Sequence, residues 1–378
     1  MSVIRLSPSG REVPCRRDQT VLDALEEAGY ALPNNCRAGA CGECKTKVIS
    51  GELDQGFVLD MALSQEDRHA GFGLMCMAKP TSEVLEIEHG TADAQPKLFP
   101  PRRDVSFVVI DKVRRTPGIV ELRLRPLGER LRYWPGQFVT VGNLEGSVPE
   151  RPYSIANAPR PDGEITLIVS ADHKGLTSTW IASRLEPGEL VKVSGPYGTF
   201  IGDPSVDEPV LCLAGGSGIA PILALADAAL RRGFTSPVTI LFSARTEQDV
   251  FDKGLVAYWE RQYPNFRFLR TLTRQRGDPP VGRIPELLPQ LFENLLHYSV
   301  FIAGSPELVA ACTDAAVRLG AAEGHLHTEK YFSQFTPSAP PPDRLVAVLP
   351  EPTGRAVTFL DRSLHQGSAA EQLGHNYR

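Results

Sequence analysis

Four cysteines near the N-terminus have the type and spacing to bind redox-active metal. Cys36, Cys41 and Cys44 fall in the run CRAGACGEC, and Cys76 follows after 31 intervening residues. This C-x4-C-x2-C…C pattern is the spacing of four thiolates around a [2Fe–2S] cluster. Each iron is tetrahedral, with two bridging sulfides and two thiolates. Three ligands therefore come from one tight loop and the fourth from a separate segment. Gly39 and Gly42 suit such a loop, because its backbone must pass close to the cluster and take up positive φ. A zinc site usually pairs two C-x2-C knuckles instead. Seven cysteines in 378 residues, with no signal peptide, make a poor disulfide scaffold.

That loop needs a frame. Residues 3–6 and 11–15 read as short strands joined through Pro8, Ser9 and Gly10. Over 20–28, Val21, Leu22, Leu25 and Ala28 share one helical face, with Asp18 or Thr20 placed to cap it. Residues 45–49 and 84–87 supply further strands, and Cys76 lies in the apolar run 74–77, which would shield one edge of the cluster. Two hairpins around one helix, followed by a cysteine loop, look like a β-grasp ferredoxin. Cys15 is expected under the helix, with Cys212 and Cys312 in other cores.

At 378 residues the chain is long enough for two or three compact units. No apolar run is long enough to span a bilayer, and the N-terminus lacks a basic stretch before an apolar core. A cytoplasmic protein without a membrane partner is expected. The net charge of −5 resides in residues 1–90, where 14 acidic side chains face 9 basic ones; the remainder balances at 31 each. Nucleic acid is an unlikely partner for such a surface, whereas a basic patch on a redox partner suits it. Residues 91–104 are proline-rich and polar and read as a linker. Short strands at 105–113, 119–124, 138–141, 165–169 and 190–193 predict a small antiparallel β-barrel. From 210 onward, strands at 210–213, 238–242, 266–272 and 300–303 alternate with helices at 219–231 and 307–319. This predicts a parallel-sheet α/β domain. The expected organisation is multidomain: a β-grasp (α+β) domain over 1–91, a barrel over 104–204, an α/β domain over 207–336 and a proline-rich tail over 337–378.

The run RPYS at 151–154 follows PGQF at 135–138. Between a cysteine loop and an α/β region, these residues make the chain resemble the ferredoxin–NADP reductase superfamily, and within it the oxygenase reductases with an N-terminal plant-type ferredoxin. The resemblance implies that Arg151 binds a flavin phosphate, Tyr153 stacks on the isoalloxazine and Ser154 lies near flavin N5. The residue types agree, since Arg offers a fork to phosphate oxygens and Tyr a planar apolar face. Gly175 and Ser178 match the family's G-x-x-S step, which opens a helix toward pyrophosphate. GPYGTF at 195–200 matches the turn that ends the flavin barrel.

Gly215, Gly216, Ser217 and Gly218 lie in LAGGSGIAP (213–221), between a strand and a helix. The run is neither G-x-G-x-x-G nor a Walker A loop. Its small residues still let a backbone approach pyrophosphate at a helix N-terminus, and Pro221 is tolerated near the helix start. The family carries a nicotinamide dinucleotide there. Arg245, in FSARTEQD (242–249), suits a 2′-phosphate, but Glu247 and Asp249 would repel one, so NADH is expected over NADPH. AGSP at 303–306 occupies the place of the family's C-G-x-P motif: Gly304 and Pro306 match, and Ala303 replaces the cysteine. EKYF at 329–332 resembles the E-x-F ending, with Phe332 expected to cover the flavin and Tyr331 as second choice.

The resemblance covers about residues 1–336. It implies an NADH-dependent flavo-iron–sulfur reductase in which hydride passes to the flavin and electrons then pass singly through the [2Fe–2S] cluster. Tyr153, Ser154 and Phe332 would be the catalytic residues, and FAD is favoured over FMN. The implied partner is a terminal oxygenase, either a Rieske dioxygenase or a diiron monooxygenase. A deoxysugar-type reductase serving a dehydratase is an alternative, as is a non-enzymatic iron–sulfur redox sensor, which the flavin and nicotinamide loops argue against. His325 and His327 are the only spaced histidines and are expected to be exposed. Residues 346–374 echo the start of the ferredoxin: Val346, Gly354, Arg355 and Val357 correspond to Val3, Gly10, Arg11 and Val13. Either a vestigial hairpin or chance similarity in a disordered tail explains this.

Overall fold

Alternating burial along the first strand sets the N-terminal sheet. In the computed structural model, which describes residues 1–171, 175–203, 206–250, 253–275, 281–332 and 346–348, β1 (Ser2–Ser7) turns Ile4 and Leu6 inward. It is followed by β2 (Arg11–Cys15), α1 (Val21–Glu27), β3 (Lys45–Ser50), β4 (Glu52–Asp54), α2 (Gln65–His69), β5 (Phe72–Leu74), β6 (Lys79–Pro80) and β7 (Val84–Glu88). The sheet order is β2-β1-β7-β3-β5. Only β1 and β7 run parallel, and the other pairs are antiparallel. Helix α1 is capped by the Thr20 hydroxyl, which accepts the Asp23 N–H at 3.2 Å, and it buries Val21, Leu22 and Leu25. Cys15 is fully buried, and burial pushes its thiol up to about 11. This is a β-grasp. The chain divides into two units, the first comprising Met1–Ala28, Arg37–Gln95 and Phe335–Arg378, the second Gly29–Cys36 and Pro96–Gln334.

The second unit begins with β8 (Arg102–Thr116), β9 (Ile119–Pro126), β10 (Phe138–Gly142), β11 (Arg151–Ser154), β12 (Ile165–Ser170), α3 (Leu176–Ser183) and β13 (Leu190–Tyr197). These strands order as β11-β10-β13-β8-β9-β12, and a bridge between Ile155 and Leu167 joins the two edges into a barrel. Phe107, Leu122, Val139, Ile165 and Val191 fill its interior. The expected linker is shorter than 91–104. The N–H groups of Lys97 and Leu98 donate to the Gly29 carbonyl at 2.8 and 2.9 Å, Leu98 is buried, and Phe99 stacks on Trp134. The apolar pair Leu98–Phe99 finds a surface to cover, so the chain is packed well before β8.

Next come β14 (Val210–Gly215), α4 (Ile219–Arg231), β15 (Val238–Ala244), α5 (Lys253–Gln262), β16 (Phe266–Leu272), α6 (Ile284–Leu291), β17 (Ser299–Gly304), α7 (Pro306–Arg318) and β18 (Leu326–Lys330). All pairs are parallel, in the order β16-β15-β14-β17-β18. Apolar runs such as VLCLAG suit strands covered on both faces. From β14 the chain winds outward to β16, then returns beyond β14 with β17 and β18. The order therefore reverses between β14 and β17, and a crevice opens beyond their C-terminal ends, where ligands of such sheets bind. Of the tail, the structure describes only β19 (Val346–Val348), which pairs antiparallel with β4, Val346 opposite Asp54. The proline run at 337–342 and the rest of the echo, through Gly374, lie outside the described residues.

Candidate functional site: a cysteine loop and a flavin–nicotinamide crevice

The cysteine loop is anchored to α1 at its start. Arg37 takes a φ of +52°, and its guanidinium reaches Asp23 at 2.6 Å and Glu26 at 2.7 Å. Gly39 has a φ of +67°, and a Cβ there would lie 2.8 Å from the Phe57 carbonyl oxygen, so only glycine passes. The Cys76 N–H donates to Cys44 Sγ at 3.4 Å. Cys36, Cys44 and Cys76 are buried and Cys41 is half-buried. Three soft thiolates on a loop with glycines at its tight points, and a fourth on the segment of Cys76, are the donor set of an iron–sulfur cluster. Beside Gly39, Phe57, Leu59 and Met61 are exposed.

The RPYS run closes on residues far along the chain. Ser154 ends β11, and its Oγ lies 2.9 Å from the Tyr331 hydroxyl and donates to the Glu329 carboxyl at 3.2 Å. The Tyr331 hydroxyl itself approaches Glu329 at 3.3 Å, and the Tyr331 N–H donates to the Gly304 carbonyl at 2.8 Å. The ends of β11, β17 and β18 thus meet at one point. Glu329 is 6% exposed, and burial pushes its carboxyl up to about 8. Burial likewise raises Tyr153 and Tyr331. The aromatic residue on Ser154 is Tyr331; Phe332, the next residue, is half-buried. The Asn35 side chain, next to Cys36, donates to the Lys330 carbonyl between Glu329 and Tyr331. In the sequence Glu329 is marked only by its place in the EKYF motif. Its burial depends on the meeting of three strands and has no local signature.

At the other end of the strand, Arg151 opens β11 and donates to the Glu150 carbonyl at 2.8 Å. The Thr177 hydroxyl donates to the Pro149 carbonyl at 2.5 Å, bringing the start of α3 beside that strand. Gly175 caps α3 without a side-chain bond, and Ser178 Oγ returns to the Gly175 carbonyl at 3.2 Å. A guanidinium and a helix N-terminus without a side-chain cap can hold a pyrophosphate. The barrel turn is held by the other motif pair. A Cβ on Gly136 would lie 1.9 Å from the Phe200 carbonyl oxygen, and Gln137 Nε2 donates to the Gly198 carbonyl at 3.0 Å.

The glycine loop leaves β14 at the crevice. Gly216 has a φ of +57°, and Gly216–Gly218 form a 3₁₀ turn leading into α4, with Pro221 in the first turn of the helix. A Cβ on Gly218 would lie 2.3 Å from the Ala303 carbonyl oxygen, which forces glycine where β14 and β17 end together. Ser217 Oγ accepts from Ser170 of the barrel at 2.9 Å. Gly304 precedes Ser305, which caps α7, and Pro306 takes the first helical position. Beyond β15, Glu247 pairs with Lys253 at 2.8 Å and Arg270 at 3.2 Å, and the Lys253 bond leads in keeping Glu247 ionised. Asp249 accepts the Thr246 N–H at 2.9 Å. Both carboxylates beside Arg245 are therefore engaged. Of the two histidines, His325 is exposed as expected. His327 is half-buried and stacked on Phe301 at 4.4 Å.

Three family models match the chain: a 2Fe-2S iron-sulfur cluster binding domain over residues 4–81, an oxidoreductase FAD-binding domain over 107–201 and an oxidoreductase NAD-binding domain over 212–314. The reductase subunit of an aromatic O-demethylase from Amycolatopsis is 33% identical, the match covering 88% of this chain and 99% of that protein. Reductase component 1 of a Comamonas terephthalate 1,2-dioxygenase is 29% identical, with 89% and 98% covered. Among solved structures, an Amycolatopsis cytochrome P450 reductase superposes with a TM-score of 0.79 at 30% identity, covering 87% of this chain and 98% of that one. Among the described residues no helix is long and apolar enough to cross a membrane. The chain belongs to the family of oxygenase reductase components within the ferredoxin reductases, and is an oxidoreductase with a [2Fe–2S] cluster, FAD and a nicotinamide dinucleotide as its cofactors.

Proposed function

We propose that this reductase draws electrons from NADH and delivers them to a terminal oxygenase, with Cys36, Cys41, Cys44 and Cys76 holding the cluster and with Arg151, Tyr153, Ser154, Gly175 and Ser178 holding FAD. When bound, these cofactors supply conversion of a two-electron donor into single electrons. The observation that carries the reading is the meeting of Ser154, Glu329 and Tyr331 where β11, β17 and β18 end. There Glu329 holds a proton at neutral pH, Ser154 is oriented by two partners, and the Tyr153 and Tyr331 rings flank the crevice in preference to Phe332. Gly215–Gly218, Gly304 and Pro306 cradle the nicotinamide dinucleotide. Glu247, held ionised, is the acceptor suited to a ribose 2′-hydroxyl, which favours NADH despite Arg245. Domains spanning 1–91, 104–204 and 207–336 are in keeping with the sheets.

The relatives carry oxygenase systems in their names, and a partner of that class is the best-supported one. The reductase subunit of an O-demethylase and a cytochrome P450 reductase among them add a cytochrome P450 to the Rieske and diiron oxygenases expected from sequence. Phe57, Leu59 and Met61 beside the cysteine loop suit a docking face. An NADH-linked role fits the cytoplasm. Steady-state ferricyanide reduction tests the crevice. NADH should exceed NADPH in kcat/KM, and Ser154→Ala should lower kcat per bound FAD. A clear NADPH preference would reverse the reading of Glu247, and unchanged kcat in Ser154→Ala would remove the crevice from the reaction.

A further inference from the structure

A cavity of about 900 Å³ lies in the second unit at the end of the α/β sheet opposite the glycine loop. Val210, Val238 and Ser299, the first residues of β14, β15 and β17, line it, together with the C-terminal half of α4. Nucleotides bind at the other ends of these strands, so this space belongs to neither cofactor site. Its volume is that of a small-molecule pocket. One wall comes from the barrel loops through Tyr133, Trp134 and Pro159, the other from the sheet through Phe234 and Phe301. The lining also carries four arginines, Arg130, Arg132, Arg160 and Arg232, against two carboxylates, Asp203 and Glu208, with Ser299 and His325 beside Glu208.

Neither carboxylate is free: Asp203 is engaged, and Glu208 has two partners. The Ser299 hydroxyl donates to Glu208, and His325 Nδ1 lies 2.7 Å from the same carboxylate. Among the basic groups, Arg160 is paired with Asp162 at 2.8 Å. The other three are held without carboxylates among the described residues. Arg132 lies over the Phe99 ring at 4.3 Å, Arg232 over Phe234 at 5.2 Å, and Arg130 donates to the Pro161 carbonyl at 3.4 Å. Stacking on rings presents a guanidinium edge to the cavity with its donors available. Aromatic walls with such donors at the rim ask for a planar apolar body that ends in an anion.

We propose that this cavity is a binding site for an aromatic carboxylate, its ring between the barrel loops and the sheet and its carboxylate on Arg132 and Arg232. The site is separate from electron transfer, so the inference stands whether or not an oxygenase is the partner. Benzoate is the probe, titrated calorimetrically into the FAD- and cluster-loaded protein, with Trp134 fluorescence as a second readout. Benzoate should bind saturably and leave the KM for NADH unchanged. Benzamide, its uncharged analogue, should bind about tenfold or more weakly, as should benzoate to Arg132→Ala/Arg232→Ala. Ala229→Phe, which fills the cavity from α4, should abolish binding with ferricyanide turnover retained. No saturable binding, equal affinity for benzamide, competition with NADH, or undiminished binding in Ala229→Phe would each overturn the assignment.

Discussion

The cysteine loop and the crevice do related redox work but are built in opposite ways. In the loop, three of the four proposed ligands lie within nine consecutive residues, and Arg37, Gly39 and Gly42 there all take positive φ. In the crevice, Ser154 meets Glu329 and Tyr331 across about half the chain, and the meeting depends on a barrel, a parallel sheet and the reversal of its strand order. A site made of neighbours in sequence is either present or absent. A site made by converging strand ends can be adjusted one contact at a time. Substitutions should therefore act as switches in the first region and as graded controls in the second.

The sharpest break between the two is Cys44→Ser. It should eliminate the [2Fe–2S] absorbance and cytochrome reduction while ferricyanide reduction persists, because ferricyanide accepts electrons from the flavin. Retained cluster absorbance with full cytochrome activity would show that Cys44 is not a ligand. In the crevice, Arg151→Ala should leave the fold intact and weaken FAD retention by about 1.5–3 kcal/mol, the worth of a hydrogen bond to a charged group. Equilibrium dialysis of flavin measures it, and unchanged retention would remove Arg151 from the phosphate site.

Glu329→Gln gives a subtler test. The native carboxyl keeps its proton up to about 8, whereas an ordinary carboxyl releases it near 4.5. The unfolded chain therefore loses this proton first, and native stability should fall as pH rises from 4.5 toward about 8, then level off. A glutamine side chain has no such proton to release, so thermal denaturation of the variant should lack that part of the slope. Identical pH profiles would mean that Glu329 is ionised in the native crevice. The smallest effect is expected from deletion after Gln334. It removes β19 from the edge of β4 and should lower the melting temperature of the first unit modestly, with NADH–cytochrome activity preserved. A large loss of turnover would give the tail a part in catalysis.

Legibility in the sequence follows the same division. Periodicity located β1, β2, α1, β3 and β7 almost to the residue, since each has one buried and one solvated face. The apolar runs of β14, β15 and β17 were equally plain. Helix α5 has a mixed face, and α6 carries an internal Pro289, so neither stood out. RPYS and the glycine loop were readable as motifs. The partnership of Ser154 with Glu329 and Tyr331 was not, because no spacing encodes which strand ends will meet. The engagement of Glu247 by Lys253 and Arg270 was hidden for the same reason: Arg270 belongs to a neighbouring strand, 23 residues on.

The central claim is that the crevice feeds the cysteine loop within one chain. Anaerobic addition of NADH to the loaded protein, followed by electron paramagnetic resonance at low temperature, tests it most directly. The account predicts a near-stoichiometric signal of a reduced [2Fe–2S] cluster in the wild type, and flavin bleaching without that signal in Cys44→Ser. Flavin bleaching in the wild type with the cluster left oxidised would contradict it.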